Sequence, residues 1–146
     1  MALIEHSAVA DIPRDVAFSY VEDYSNVPDW MFGIRSFTPV GDTDRGLGAV
    51  HDARMQIGPK VLRSRLRITE WIENRSLTLT SVEGFSTTST WSFADTDDGA
   101  TRLDVEFAYY FPGGLAGRAI AALVEPVVGQ AIRHTETSLR KSLQNL

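Results

Sequence analysis

Cysteine is absent from this chain of 146 residues. Disulfides, thiolate nucleophiles and cysteine-ligated zinc or iron–sulfur centres are therefore excluded. Histidine is scarce: His6, His51 and His134 are far apart and show none of the spacings that hold a metal, so no metal site is expected. No apolar run approaches the ~20 residues of a membrane span, so no stable membrane insertion is expected. Met1 to His6 lacks the basic and apolar regions of a signal peptide, which makes a cytoplasmic location the expectation. Positive charge is in the minority, with a net charge of −5 and pI about 5.1, and no global basic field favours nucleic acid. A nucleophile elbow is missing, and the Gly46-x-Gly48 and Gly113-Gly114 pairs are turn signals without a phosphate-loop context. No cofactor is implied.

What is present is ordinary for one globular domain over residues 1–146, with 43% hydrophobic and 23% charged residues. The longest periodic stretch is the last. From Leu115 to Leu143, apolar residues recur at helical spacing: Ala119, Ile120, Leu123, Val124, Val127, Val128, Ala131, Ile132, Leu139 and Leu143. About thirty residues at 1.5 Å each span roughly 45 Å, more than a small domain usually needs from one helix. Pro126, with Gly129 close behind, is expected to kink or divide it. The first part, Leu115 to Glu125, then becomes a mobile lid, and Gln130 to Leu146 the anchor.

The rest of the chain reads as strand, two short helices, then five or six antiparallel strands. Leu3 to Asp11 is a first strand whose buried face the pattern does not decide. After Pro13, Val16, Phe18 or Ala17, Tyr20 and Val21 follow at near-helical spacing. Ser25-Asn26 can cap a second short helix, Val27 to Met31, with Pro28 in its first turn. Ile34 to Val40 is a strand that Pro39 assigns to an edge. Later strands alternate: His51, Ala53 and Met55 against Asp52, Arg54 and Gln56; Leu62, Ser64, Leu66 and Ile68 against Arg63, Arg65 and Arg67. Leu77 and Leu79 follow, then Phe85, Thr87, Ser89, Trp91 and Phe93 on one face. An Asp-Gly hairpin at Asp95 to Gly99 leads to Leu103, Val105, Phe107, Tyr109 and Phe111. The arginine row is suited to phosphate, but its place opposite Leu66 and Ile68 favours a solvated outer face.

Several local patterns in this order resemble the START-like or SRPBCC superfamily, which includes Bet v 1-type proteins. They are Ala10-Asp11-Ile12-Pro13 running to Phe18, Asp23-Tyr24-Ser25-Asn26-Val27-Pro28-Asp29-Trp30, Gly46-Leu47-Gly48, Ile68-Thr69-Glu70-Trp71 and Gly99-Ala100-Thr101-Arg102-Leu103. Within it the chain looks most like polyketide cyclase/dehydrase-type members. The resemblance implies an α+β helix-grip fold. A curved antiparallel sheet of about six to seven strands wraps a long C-terminal helix, with two short helices after the first strand. It also implies a cavity for a hydrophobic ligand between sheet and helix.

Some residues fit such a cavity. His51, Ser64, Thr87, Ser89, Trp91 and Tyr109 put hydrogen-bonding groups on faces that are otherwise apolar. Each costs about 1–3 kcal/mol if buried without a partner. They pair with one another, with buried water or with a ligand, or else sit where the strands emerge into solvent. Trp30 and Met31 close the cavity mouth or merely pack the short helices. The candidate ligand-lining set is Trp30, His51, Met55, Leu66, Ser89, Trp91, Phe107, Tyr109, Leu123, Val127 and Ala131. His51, Tyr109 and His134 are the acid–base candidates, although none forms a convincing catalytic pair. His51 also reads as a satisfied core histidine, and His134 as part of a solvated helix face. The expected partner is a small hydrophobic molecule, lipid-like or aromatic and polyketide-like; the sequence names no protein partner. A cofactor-independent cyclase or dehydratase and a co-chaperone-like interaction module are the alternatives.

Overall fold

The first strand, β1 (Ala2–Ala10), pairs antiparallel with the last, β7 (Thr101–Tyr110), and this pairing decides its inner face. Ile4, His6, Ala8 and Ala10 lie opposite Phe107, Val105, Leu103 and Thr101, while Leu3, Glu5, Ser7 and Val9 are exposed. The structure is a computed structural model. It describes the chain except residues 1, 32, 58, 85, 111–113 and 146; inside its helices and strands, the side chains at 2, 57, 116, 120, 123, 124, 127–129 and 132 also lie outside the description.

The remaining strands are β2 (Ile34–Val40), β3 (Val50–Ile57), β4 (Lys60–Ile72), β5 (Ser76–Gly84) and β6 (Ser86–Asp95). Together the described strands form one seven-stranded antiparallel sheet in the order β1-β7-β6-β5-β4-β3-β2. The hairpins run in sequence from β2 to β7, as short turns dictate. Pro39 lies on edge strand β2, where its missing N–H breaks no ladder. Register shifts between Ile34 and Ser36, and between Ile68 and Glu70, bend β2 and β4. Because of them Ile34 and Phe37, three residues apart, are both buried. Trp71 comes opposite buried Leu77. At the end of β5, Gly84 has φ +84°, and a Cβ there would collide with the Arg63 carbonyl oxygen. Only glycine fits that approach.

Two helical segments follow β1. In α1 (Arg14–Glu22), Pro13 supplies the extended entry, and Ala17, Phe18 and Val21 are buried. The expected face is corrected at one position, because Val16 is exposed; Phe18 and its expected alternative Ala17 are both buried. A 3₁₀ turn (Tyr24–Asn26) leads into α2 (Val27–Trp30). The expected cap is also corrected. Asp23 accepts from the Ser25 N–H and hydroxyl at 3.0 and 2.7 Å, whereas Asn26 donates to the Tyr20 carbonyl at 3.2 Å and caps nothing.

The C-terminal helix, α3 (Gly114–Gln144), runs unbroken through 31 residues with Pro126 inside it. The expected division of the helix at Pro126 is therefore not found. A long helix has hydrogen bonds enough on both sides to carry one missing donor. It packs along β1 and against α2. Leu139 and Leu143 enter the core, whereas Leu115 is 83% exposed. His6 Nε2 lies 3.3 Å from the buried Glu136 carboxylate, and Thr101 Oγ1 donates to the Ile12 carbonyl at 2.7 Å. The first contact ties β1 to the C-terminal helix, and the second ties the start of β7 to the turn before α1.

Candidate functional site

Burial changes along the concave face of the sheet. At the end where β7 begins, the face is sealed. Phe18 of α1 meets Phe93 and Trp71 edge to face, with ring centroids 5.4 and 5.8 Å apart. Leu103, Val105, Leu139 and Leu143 complete that core. Toward the opposite end, where β7 stops and α3 begins, Ile4, Met55, Leu62, Ser64, Thr87 and Phe107 point inward yet stay half-exposed. Tyr109 is the buried exception there, its ring tilted against Phe107 at 5.9 Å. Apolar side chains on a concave surface with hydroxyls set among them are how small-molecule sites are built. The convex face shows the contrast. Arg63, Arg65 and Arg67 stand on it, and Arg65 pairs with Asp52 and Glu83 at 2.8 and 3.5 Å, as expected of a solvated face.

Midway along the concave face a cavity of about 20 Å³ lies under α1 and α2. Trp30 meets Trp91 edge to face at 5.0 Å beside it. Trp91 donates its indole N–H to Ser89 Oγ at 3.3 Å, so two of the polar groups predicted on this face satisfy one another. His51 stacks on Phe37 at 4.7 Å and lies 5.4 Å from Tyr24. Its Nε2 is 3.0 Å from the Asp44 carbonyl oxygen, which can only accept, so Nε2 carries the proton and Nδ1 is a bare acceptor. Burial pushes the imidazole pKa below its ordinary value, against a smaller opposing effect of Asp44, and the ring is held neutral.

The expected site residues thus fall in separate places. Trp30, His51 and Trp91 line the small cavity, with Ser89 bonded to Trp91 and Leu66 paired to His51 in the sheet. Met55 and Phe107 belong to the half-exposed end, beside Tyr109. His51 and Tyr109 are four strands apart, on the order of 19 Å measured along the sheet. His134 is exposed in an outer groove between α2 and α3, with Met31, Arg35, Gln56 and Ser138. The three acid–base candidates therefore do not converge. Ala131 is half-buried, and the side chains of Leu123 and Val127 lie outside the described residues. Sequence reasoning missed Phe37, Tyr24 and the Asp44 carbonyl around His51. The β2 bulge hides Phe37 from any alternation rule, and a loop carbonyl leaves no trace in side-chain pattern.

Among the described residues no helix is long and apolar enough to cross a membrane, and no three His, Asp or Glu side chains group to hold a metal ion.

Comparison with known proteins agrees with this architecture. A family model described as polyketide cyclase / dehydrase and lipid transport matches residues 1–145. Among curated protein sequences none matches this chain. Solved structures superpose over nearly its whole length at low identity. A protein from Thermus thermophilus is 16% identical, with a TM-score of 0.81 and 97% of each chain covered. A START superfamily protein from Mycobacterium smegmatis is 14% identical, with a TM-score of 0.77, covering 98% of this chain and 97% of its own. An aromatase/cyclase from Streptomyces sp. R1128 is 14% identical, with a TM-score of 0.75, covering 98% of this chain and 93% of its own. The fold is the helix-grip fold that the sequence motifs resemble.

Proposed function

The chain belongs to the polyketide cyclase / dehydrase and lipid transport family, and from that premise we propose that it binds a small hydrophobic molecule, lipid-like or aromatic, between the concave sheet and α3. One observation carries the proposal. Ile4, Met55, Leu62 and Phe107 face inward but are left half-exposed, while the other end of the same face is sealed by aromatic packing. These side chains pack against the core only in part, so some of the roughly 1.5–3 kcal/mol of full burial is left unrealised at each. A ligand laid on these four side chains recovers part of that burial. Thr87 supplies a hydroxyl beside them that orients it.

A cyclase or dehydratase is the second reading, favoured by the neutral imidazole of His51. Only His51 among the acid–base candidates is both buried on the concave face and in possession of a bare ring nitrogen. General base catalysis by it would proceed without a pairing to Tyr109 or His134.

Native mass spectrometry of the purified protein, then titration with a fluorescent naphthalene probe and competition by fatty acids and polycyclic phenols, tests binding. Leu62→Trp fills the half-exposed end and is expected to weaken probe binding at least tenfold. Leu47→Ala, on an exposed loop residue, is expected to leave it unchanged. No retained molecule, no probe binding and no effect of Leu62→Trp would together sink the proposal.

A further inference from the structure

The small cavity beside His51 has two features that no requirement of the fold explains. The first is chemical. Trp30 Nε1 and His51 Nδ1 are both buried without a hydrogen-bond partner among the described residues, and both residues line this cavity. Trp30 is 2% exposed and His51 1%. Indole N–H is a donor only, and Nδ1, with Nε2 committed to Asp44, is an acceptor only. With Nε2 committed to the Asp44 carbonyl, Nδ1 is the ring nitrogen left to meet a guest in the cavity that His51 lines. Each group left alone costs on the order of 1–3 kcal/mol. Two complementary orphans beside one cavity are not expected by chance, because most buried polar side chains are paired.

The second feature is size. The cavity measures about 20 Å³. That is small, but room enough for a water or a single hydroxyl. Most of the surrounding walls are aromatic or aliphatic, Tyr24, Phe37, Leu79 and Trp91 among them; the carboxylate in the lining, Glu22, accepts from the Trp71 indole N–H at 3.4 Å and lies 3.9 Å from Arg45. The apolar part of those walls bounds the place of a small polar guest.

We propose that this cavity is a hydroxyl site: it takes one oxygen that accepts from the Trp30 N–H and donates to His51 Nδ1. A water supplies that oxygen, or the hydroxyl of an alcohol or phenol reaching in from the concave face. Ammonium ions, which cannot accept, and ether or carbonyl oxygens, which cannot donate, satisfy only one of the two groups. The site therefore selects for hydroxyl chemistry. The water form stands apart from the ligand proposal above; the alcohol form rests on it.

High-resolution crystal structures of the protein alone and with 1-naphthol test the assignment. An isolated oxygen peak within ~3.2 Å of both nitrogens in the free protein supports the site with water as its guest. That result holds even if 1-naphthol binds nowhere, in which case only the ligand proposal fails. Replacement of the peak by the naphthol hydroxyl, in contact with both nitrogens, supports the site with the alcohol as guest. If neither structure places an oxygen in contact with both atoms, the inference is overturned. Solution spectra give an independent readout: the Trp30 indole proton is expected to show a cross-peak to a water resident for nanoseconds or longer, lost in Trp30→Phe.

Discussion

His51 shows what one residue gains from its neighbours. Alternation placed it on an apolar face, and that placement is correct: it is buried, stacked on Phe37 and bonded to the Asp44 carbonyl. The neutral state follows from burial, which lowers its pKa below the ordinary value of 6.5. The sign of the pH dependence is then fixed. Between the lowered folded-state pKa and 6.5, the unfolded chain binds more protons at His51 than the folded chain does. Stability therefore rises with pH through that window, by at most about 1.4 kcal/mol per pH unit from this group, and levels off above it. His51→Gln keeps a donor for Asp44 but does not titrate. Urea midpoints at pH 5.5 and 7.5 should differ less in the variant than in the parent protein. Equal differences would show that His51 contributes nothing to the pH dependence. The partners of His51 were not legible in the sequence. Asp44 acts through its backbone, and Phe37 reaches the ring only because a bulge shifts β2.

At the scale of the elements, regular periodicity was legible and interruptions were not. The ladder of Leu62, Ser64, Leu66 and Ile68 against the arginine row is visible in the sequence, and β4 follows it. The bulge after Ile68 is not, since nothing in Thr69-Glu70 announces it. Pro126 was the opposite case: its chemistry predicts a break, yet α3 continues through it. What secures α3 is packing. Leu139 and Leu143 are 1% and 0% exposed. Leu143→Ala should cost about 2–5 kcal/mol in chemical denaturation, as cavity-forming substitutions do. Leu115→Ala, at the exposed start of the helix, should stay within about 0.5 kcal/mol. A larger loss at Leu115 would mean that the first turn of α3 is docked as firmly as the last.

For the molecule as a whole, element order and five short motifs were enough to identify the fold. They shape turns and helix docking, which are the features a family of diverse function shares. The site was legible only in outline. Trp30, His51 and Trp91 do meet, but which inward residues stay half-exposed depends on where α1, α2 and α3 settle over the sheet. That is a property of packing rather than of pattern. If the half-exposed end takes a ligand, saturation at a hundred times Kd adds about 2.7 kcal/mol to stability. The melting temperature should then rise by roughly 5–10 °C. Calorimetry with and without the tightest-binding compound reads this directly, and an unchanged melting temperature under saturation would count against a site within the fold.

The pairing of β1 with β7 also sets a timetable. Ala10 lies opposite Thr101 and Ala2 opposite Tyr109, so the first strand made has no neighbour in the sheet until nearly the last strand exists. At 5–20 residues per second, a ribosome takes roughly 5–20 s to cover that gap. Throughout it Leu3, Ile4, Ala8 and Val9 trail as an unpaired apolar ribbon beside a growing meander. Closure of such distant contacts is slow, so the pairing that joins the oldest strand to the last one made is expected to come late in folding.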